Sequence, residues 1–295
     1  MAAESLEMID PATIPQVNQL LLEALDERWK NYGDELKRCR AEFSNEAVHD
    51  LRASARRMLA VIQLLNSTGP RRRLERLNRA FREQLEEFDG LRDVQVVLAE
   101  LSETRQELPQ LQEFEAYFQE MEKGLLKTLR KKLRIIDLFE VAKRIRRTRE
   151  SLKTESSARL RTQTLQAVDG EFLVTRRRRD WITQSQAASI HRVRSAFKSF
   201  RYMVEVVHPL LPDFPLENLE RMNDYQSRMG EIQDVEVIMQ MLADAPVNVS
   251  SFDPEPVRRY YERCFTEAVL AYLQCMDELD TFWRPAPDQP FPWEK

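Results

Sequence analysis

Residues 48–59 read Val-His-Asp-Leu-Arg-Ala-Ser-Ala-Arg-Arg-Met-Leu, and residues 190–201 read Ile-His-Arg-Val-Arg-Ser-Ala-Phe-Lys-Ser-Phe-Arg. His49 aligns with His191, Arg52 with Arg194 and Arg56 with Lys198, at an offset of 142. A second pair follows: Leu74-Glu75-Arg76-Leu77-Asn78 resembles Leu219-Glu220-Arg221-Met222-Asn223, at offset 145. A third ends in Asp93-Val94 and Asp234-Val235, at offset 141, each led in by a glycine, Gly90 or Gly230. Offsets this constant over so long a stretch mark an internal duplication. The chain reads as two homologous helical halves packed as a pseudo-twofold pair.

The remaining signals agree on helix. Six glycines in 295 residues are too few for the tight turns of a doubly wound sheet or a barrel. Leu20, Leu21, Leu25 and Trp29 recur at helical spacing, and Ser44 or Asn45 offers an N-cap for the next helix. That helix breaks at Asn66-Ser67-Thr68-Gly69-Pro70. Helices resume over 74–88 and 91–101, and one long stretch is expected from Leu111 to about Leu152. Ser185 is read as the cap of a helix reaching Val207, two more segments as leading to Ala245-Pro246, and a last helix as running from about Asp253 to Trp283. No strand is expected; Phe172-Leu173-Val174 is apolar but lies among helical signals. The expected organisation is a flexible tail over 1–14, a helical domain over 15–283 with halves of about 15–150 and 151–283, and a Pro-rich irregular tail over 284–295.

Composition excludes several classes. No run approaches the ~18 apolar residues of a membrane span. The N-terminus shows no basic region followed by an apolar stretch, so a secretory signal is not expected. Cys39, Cys264 and Cys275 form an odd set without a CxxC, which suits reduced thiols in a cytoplasmic setting. The net charge of -4 hides an uneven distribution. Residues 123–179 carry 18 basic and 6 acidic side chains, and the rest of the chain 27 and 43. An acidic protein with concentrated basic stretches has either a local anion site or a salt-bridged bundle.

The duplicated helices favour the anion site. At about 100° per residue, positions 0, 3, 7 and 10 of a helix share one face. In the second half these are His191, Arg194, Lys198 and Arg201; in the first they are His49, Arg52, Arg56 and Leu59, with Arg57 one position round. Val48, Leu51, Ala55, Met58 and Ile62 fall on a neighbouring apolar face, as do Ile190, Val193, Phe197, Phe200 and Val204. Like charges stacked on one face repel, so each stripe needs acidic neighbours or an anionic ligand. Arginine offers bidentate contacts to phosphate oxygens, lysine a compact charge, and histidine a donor that responds to pH. Both histidines lie in the first turns of their helices, where the dipole favours anions. The plainer alternative is a salt-bridged helix face, for which 49 acidic residues supply partners. A stripe that occurs twice weighs against it.

A third basic face comprises Lys127, Arg130, Lys131 and Arg134, opposite Leu126, Leu129, Leu133 and Ile136; Lys143, Arg144, Arg146 and Arg147 continue the charge. The contiguous run Arg176 to Arg179 points all round a helix and reads as a solvated face or linker. His208, beside Pro209, is assigned no role. Tyr260, Tyr261, Phe265 and Tyr272 on the last helix read as core.

The elements His49-x-x-Arg52-x-x-x-Arg56-Arg57 and His191-x-x-Arg194-x-x-x-Lys198-x-x-Arg201-Tyr202, with Arg92-Asp93-Val94 and Gln233-Asp234-Val235, resemble the CHAD family, the conserved histidine α-helical domain. The resemblance spans roughly residues 15 to 283. It implies two helical bundles related by pseudo-twofold symmetry around a basic central groove or pore. It further implies binding of inorganic polyphosphate there and association with polyphosphate granules. Some members carry an attached triphosphate-tunnel enzyme domain; with no Glu-x-Glu-x-Lys start, this chain resembles a stand-alone member. Leu59 departs from the basic residue usual in the family, and Ser199 stands where the first half has Arg57. The two halves are therefore expected to contribute unequally.

The leading expectation is a noncatalytic polyphosphate-binding protein of the cytoplasm, found on polyphosphate granules with granule-associated proteins, and with no cofactor, metal or membrane. Its binding residues would be the two stripes and the third basic face. The alternatives are a general polyanion or nucleic-acid binder, and an enzyme of phosphate chemistry, a polyphosphate hydrolase or a phosphotransfer enzyme acting through a histidine, for which Asp93 and Asp234 could supply carboxylates. Their plainer reading is capping or pairing with the arginines. One histidine per half offers too few ligands for zinc. No aromatic platform for base stacking is read from the sequence, so nucleic acid is expected only as a weak nonspecific polyanion.

Overall fold

A computed structural model describes residues 16–69, 71–136, 138–182, 187–246 and 253–294. Ten α-helices and no strand occur among the described residues: α1 (Val17–Glu42), α2 (Asn45–Ser67), α3 (Arg72–Glu87), α4 (Asp89–Thr104), α5 (Gln112–Ile135), α6 (Phe139–Leu152), α7 (Ser157–Asp180), α8 (Ala187–Val207), α9 (Glu217–Asp244) and α10 (Glu255–Cys275). None is long and apolar enough to cross a membrane. The tail over 1–14 and the Ser185 cap lie outside the described residues.

The two motif helices occupy the centre. Ser44 caps α2 by accepting the Ala47 amide at 3.2 Å. The apolar residues expected of α2 and α8 are all buried, from Val48 to Ile62 and from Ile190 to Val204. These faces put α2 against α8, flanked by α1 and α7, while α4 crosses to pack on α9. One core draws mainly on α1–α3 and α6–α9, with Leu91 of α4, Leu129 and Leu133 of α5 and Tyr272 of α10; a second, built on Val94, Val97, Leu101, Phe118, Ile238 and Tyr261, joins α4, α5, α9 and α10. Side-chain burial against these cores holds the motif helices far more firmly than helix propensity does.

Three helix boundaries differ from the sequence reading. The stretch 111–152 is two helices, because Ile136 is extended (φ -60°, ψ 112°). Arg40 makes this break tenable: its guanidinium donates to the Leu133 and Ile136 carbonyls at 2.9 and 2.8 Å, groups that the end of a helix leaves without partners. The two segments expected before Ala245 are a single helix, α9, which runs through Gly230. The last helix stops at Cys275 and tightens into a 3-10 turn over Met276–Thr281.

The described residues after Trp283 form no helix but are fastened to the core. The Asp169 carboxylate, buried in α7, accepts from Trp283 Nε1 at 2.8 Å and from Arg284 at 2.9 and 2.7 Å. Phe291 then packs edge-on to Trp283, 4.9 Å between ring centres, and stacks with Trp293. Tyr261 and Tyr272 are buried, and Tyr260 and Phe265 pack partly against the cores. The three cysteines are free thiols.

Candidate anion-binding site

α2 and α8 carry their charged stripes to a common place, which α4 and α9 complete. His49 and His191 each stand on the second turn of their helix, at corresponding positions, and both are exposed. Below them the cations converge. The Lys198 ammonium on α8 is pushed down to about 6, by burial first and then by Arg56, Arg194, Arg52 and Arg201. Two of these four belong to the other half of the chain. Burial and Arg52 likewise push the Arg56 guanidinium below its ordinary value, with Arg194 adding to the push. His49 is lowered by partial desolvation and by Arg92, Arg56 and Arg52, against an opposing effect of Asp50.

The stripe residues divide by their partners. Arg52 is buried and held, donating to the Leu85 carbonyl at 2.9 Å and to Asp89 at 2.7 Å where α3 meets α4. Arg201 is buried too, bonded to Asn223 at 2.8 Å and lying 4.7 Å from the Tyr202 ring centre. Arg57 covers the same ring at 5.5 Å and meets Glu205 at 3.4 Å. Glu205 also stands 3.8 Å from Arg28 and from Arg201, so one carboxylate is shared among three guanidinium groups and offsets one of their three charges. For Arg52, Arg57 and Arg201 the salt-bridged alternative is therefore the better description.

Arg56, Arg92, Arg194 and Lys198 are different. None makes an ion pair within 4.0 Å among the described residues. Arg194 donates to Gln233 Oε1, while its Nε is buried without a partner. Gly230 lies beside it: a Cβ there would stand 3.5 Å from the guanidinium, an ordinary van der Waals contact. Two carboxylates face the cluster from α4 and α9. Asp93 and Asp234 are both raised, chiefly by burial, against the lowering effect of Arg92. The arrangement is a half-buried cluster of cations that lacks carboxylates within ion-pair distance among the described residues. Arg92 was missed by the stripe argument because it lies on α4. The signal was its place beside the repeated Asp-Val element, Arg92-Asp93-Val94 in the first half and Gln233-Asp234-Val235 in the second.

A protein-family model described as the CHAD domain matches residues 23–243. The chain belongs to the CHAD family. A solved structure, the crystal structure of the CHAD domain from the plant Ricinus communis, is similar over 92% of this chain and 91% of that one, with a TM-score of 0.58 at 17% identity. That likeness is one of fold. No curated protein matches the chain.

The third basic face of this CHAD chain stands apart from the cluster. Lys127, Arg130, Lys131 and Arg134 are exposed on α5, which packs on α4 and α1, with Leu129 and Leu133 buried behind. Arg130 lies over Phe43 at 5.1 Å, and no described contact joins these residues to Arg56, Arg194 or Lys198. The Arg176 to Arg179 run is not simply solvated. Arg179 is buried and pairs with Asp280 at 2.7 Å and Asp180 at 2.9 Å, and Arg176 reaches Asp280 at 3.2 Å. His208 stays structural, its Nδ1 3.1 Å from the Glu205 carbonyl. Among the described residues no group of three or more His, Cys, Asp or Glu is placed to hold a metal ion.

Proposed function

We propose that this CHAD protein is a noncatalytic binder of inorganic polyphosphate, held where α2 and α8 meet. The two halves would be related by a pseudo-twofold axis, with the cations lining a basic central groove. The observation that carries the reading is the Lys198 ammonium, set among four guanidinium groups and without an ion pair among the described residues. Concentrating like charge in a half-buried place is costly, and a polyanion removes that cost. A linear chain of phosphates presents charge at every repeat and suits cations supplied from both sides. Arg56, Arg92, Arg194 and Lys198 would contact phosphate directly. Arg52, Arg57 and Arg201 would hold the site's shape, with His49 and His191 at its rim. Lys127, Arg130, Lys131 and Arg134 would serve as an outer track for a long chain. Residence in the cytoplasm on polyphosphate granules, beside granule-associated proteins, belongs to the same proposal.

The test is calorimetric titration with long-chain polyphosphate at low and physiological salt, with orthophosphate as control. Binding that survives physiological salt, silence with orthophosphate, and loss in Arg56→Glu/Lys198→Glu are expected. Undiminished affinity in that double variant would remove the assigned site. Phosphate release from polyphosphate above that of the same variant would replace the noncatalytic reading with an enzymatic one.

A further inference from the structure

The C-terminal end of α7 carries a second concentration of positive charge, built differently. Arg176 and Arg179 are spent on Asp280 and Asp180. Arg177, Arg178 and Arg192 are exposed and make no ion pair among the described residues. Arg178 donates Nη1 to the Arg192 carbonyl at 2.8 Å, which ties the end of α7 to the start of α8. The three arginines and Trp181 line a surface cavity of about 390 Å³. Residues two apart on a helix differ by about 200° in direction, so Arg192 faces away from Arg194 and the α2/α8 cluster.

Trp181 is the unusual member. Its side chain is 80% exposed, and it makes no ring or cation–π contact among the described residues. The other three tryptophans are engaged: Trp29 stacks with Tyr32 at 5.8 Å, and Trp283 and Trp293 meet Phe291 at 4.9 and 4.7 Å. An indole 80% exposed among guanidinium groups without ion pairs keeps a large aromatic face open to solvent. Inorganic phosphate chains have no use for it. A ligand with both a π face and phosphates uses every group present: the base stacks on the indole while the arginines take the backbone.

We propose that Arg177, Arg178, Trp181 and Arg192 form a second anion site that takes single-stranded nucleic acid, with one base on Trp181 and the flanking phosphates on the three arginines. The site is independent of the polyphosphate reading, because none of its residues belongs to the α2/α8 cluster. It also departs from the sequence expectation of purely nonspecific nucleic-acid binding.

The experiment is fluorescence anisotropy of a labelled oligouridylate of about ten nucleotides, at physiological salt, against an abasic ribose-phosphate chain of equal charge. Uridine monophosphate serves as the competitor that separates a free nucleotide from a strand. Trp181→Ala is expected to weaken the oligouridylate about tenfold while leaving the abasic chain and polyphosphate within about twofold. Arg177→Gln/Arg178→Gln should weaken the oligouridylate and the abasic chain alike. Arg56→Glu/Lys198→Glu should leave oligouridylate binding to the Trp181 site in place, so failure here and failure of the polyphosphate site are read separately. Equal binding of base-bearing and abasic chains to the wild-type protein would overturn the proposal. So would Trp181→Ala affinities equal to wild type, or a concentration-dependent dimer in light scattering that Trp181→Ala abolishes.

Discussion

Arg56 on α2 and Lys198 on α8 occupy equivalent places in the duplicated motif, and the Arg56 guanidinium is the strongest of four positive charges acting on the Lys198 ammonium. The Arg56 guanidinium is itself held below its ordinary value, by burial first and then by Arg52 and Arg194.

This opposition sets stability against function. The folded-state value of Lys198, about 6, lies below its ordinary 10.5. The penalty is complete below pH 6 and fades as pH rises to 10.5, because the unfolded chain binds the extra proton in that window. Lys198→Met should therefore stabilise the ligand-free protein at pH 7 by about 1 kcal/mol or more, raising Tm by about 2–4 °C. The same variant should lose polyphosphate affinity. Thermal denaturation at pH 7 and pH 10 checks the sign, since the advantage should shrink at the higher pH.

Proton uptake on binding follows from the same group. A polyanion beside Lys198 raises its pKa, so at pH 7.5 each binding event should take up as much as about one proton. Titration calorimetry in two buffers of different ionisation enthalpy measures this number. It should fall sharply in Lys198→Met, and affinity for polyphosphate should weaken as pH rises from 6 to 9. A pH-independent affinity would place Lys198 outside the contact.

Arg52 and Arg194 hold equivalent places in the motif but differ in kind. Arg52 is bonded to the Leu85 carbonyl and to Asp89, whereas Arg194 has Gln233 and a buried, unpartnered Nε. Arg52→Ala should cost about 1–3 kcal/mol of stability, the exposed side of Asp89 screening part of the pair. Arg194→Gln should cost little stability and reduce the slope of log affinity against log salt by about one. Denaturant unfolding and salt titration separate the two.

Asp169 is the fastening of the C-terminal segment. It is buried and accepts three hydrogen bonds from Trp283 and Arg284. Asp169→Ala leaves Arg284 and the indole N–H unpaired and should cost about 3–5 kcal/mol. Limited proteolysis should then cut in the segment after Trp283, which stays protected in the wild type.

Much of this was legible in one dimension. Helical periodicity and the scarcity of glycine determined an all-α chain, and the apolar faces of α2 and α8 were named residue by residue from their spacing. The repeated motif marked His49, Arg52 and Arg56 and their counterparts as a unit. Periodicity states which face of a helix a residue occupies, because that depends only on positions along one helix. It does not state what the face meets. Only tertiary packing decided that Arg52 turns to Asp89, that Glu205 serves Arg28, Arg57 and Arg201, and that Arg92 joins from α4 while the α5 face stands apart. It also left Trp181 in water while Trp283 was buried. Those outcomes rest on contacts between residues far apart in the chain, where the cost of an unpaired charge is settled by the partner that folding brings within reach.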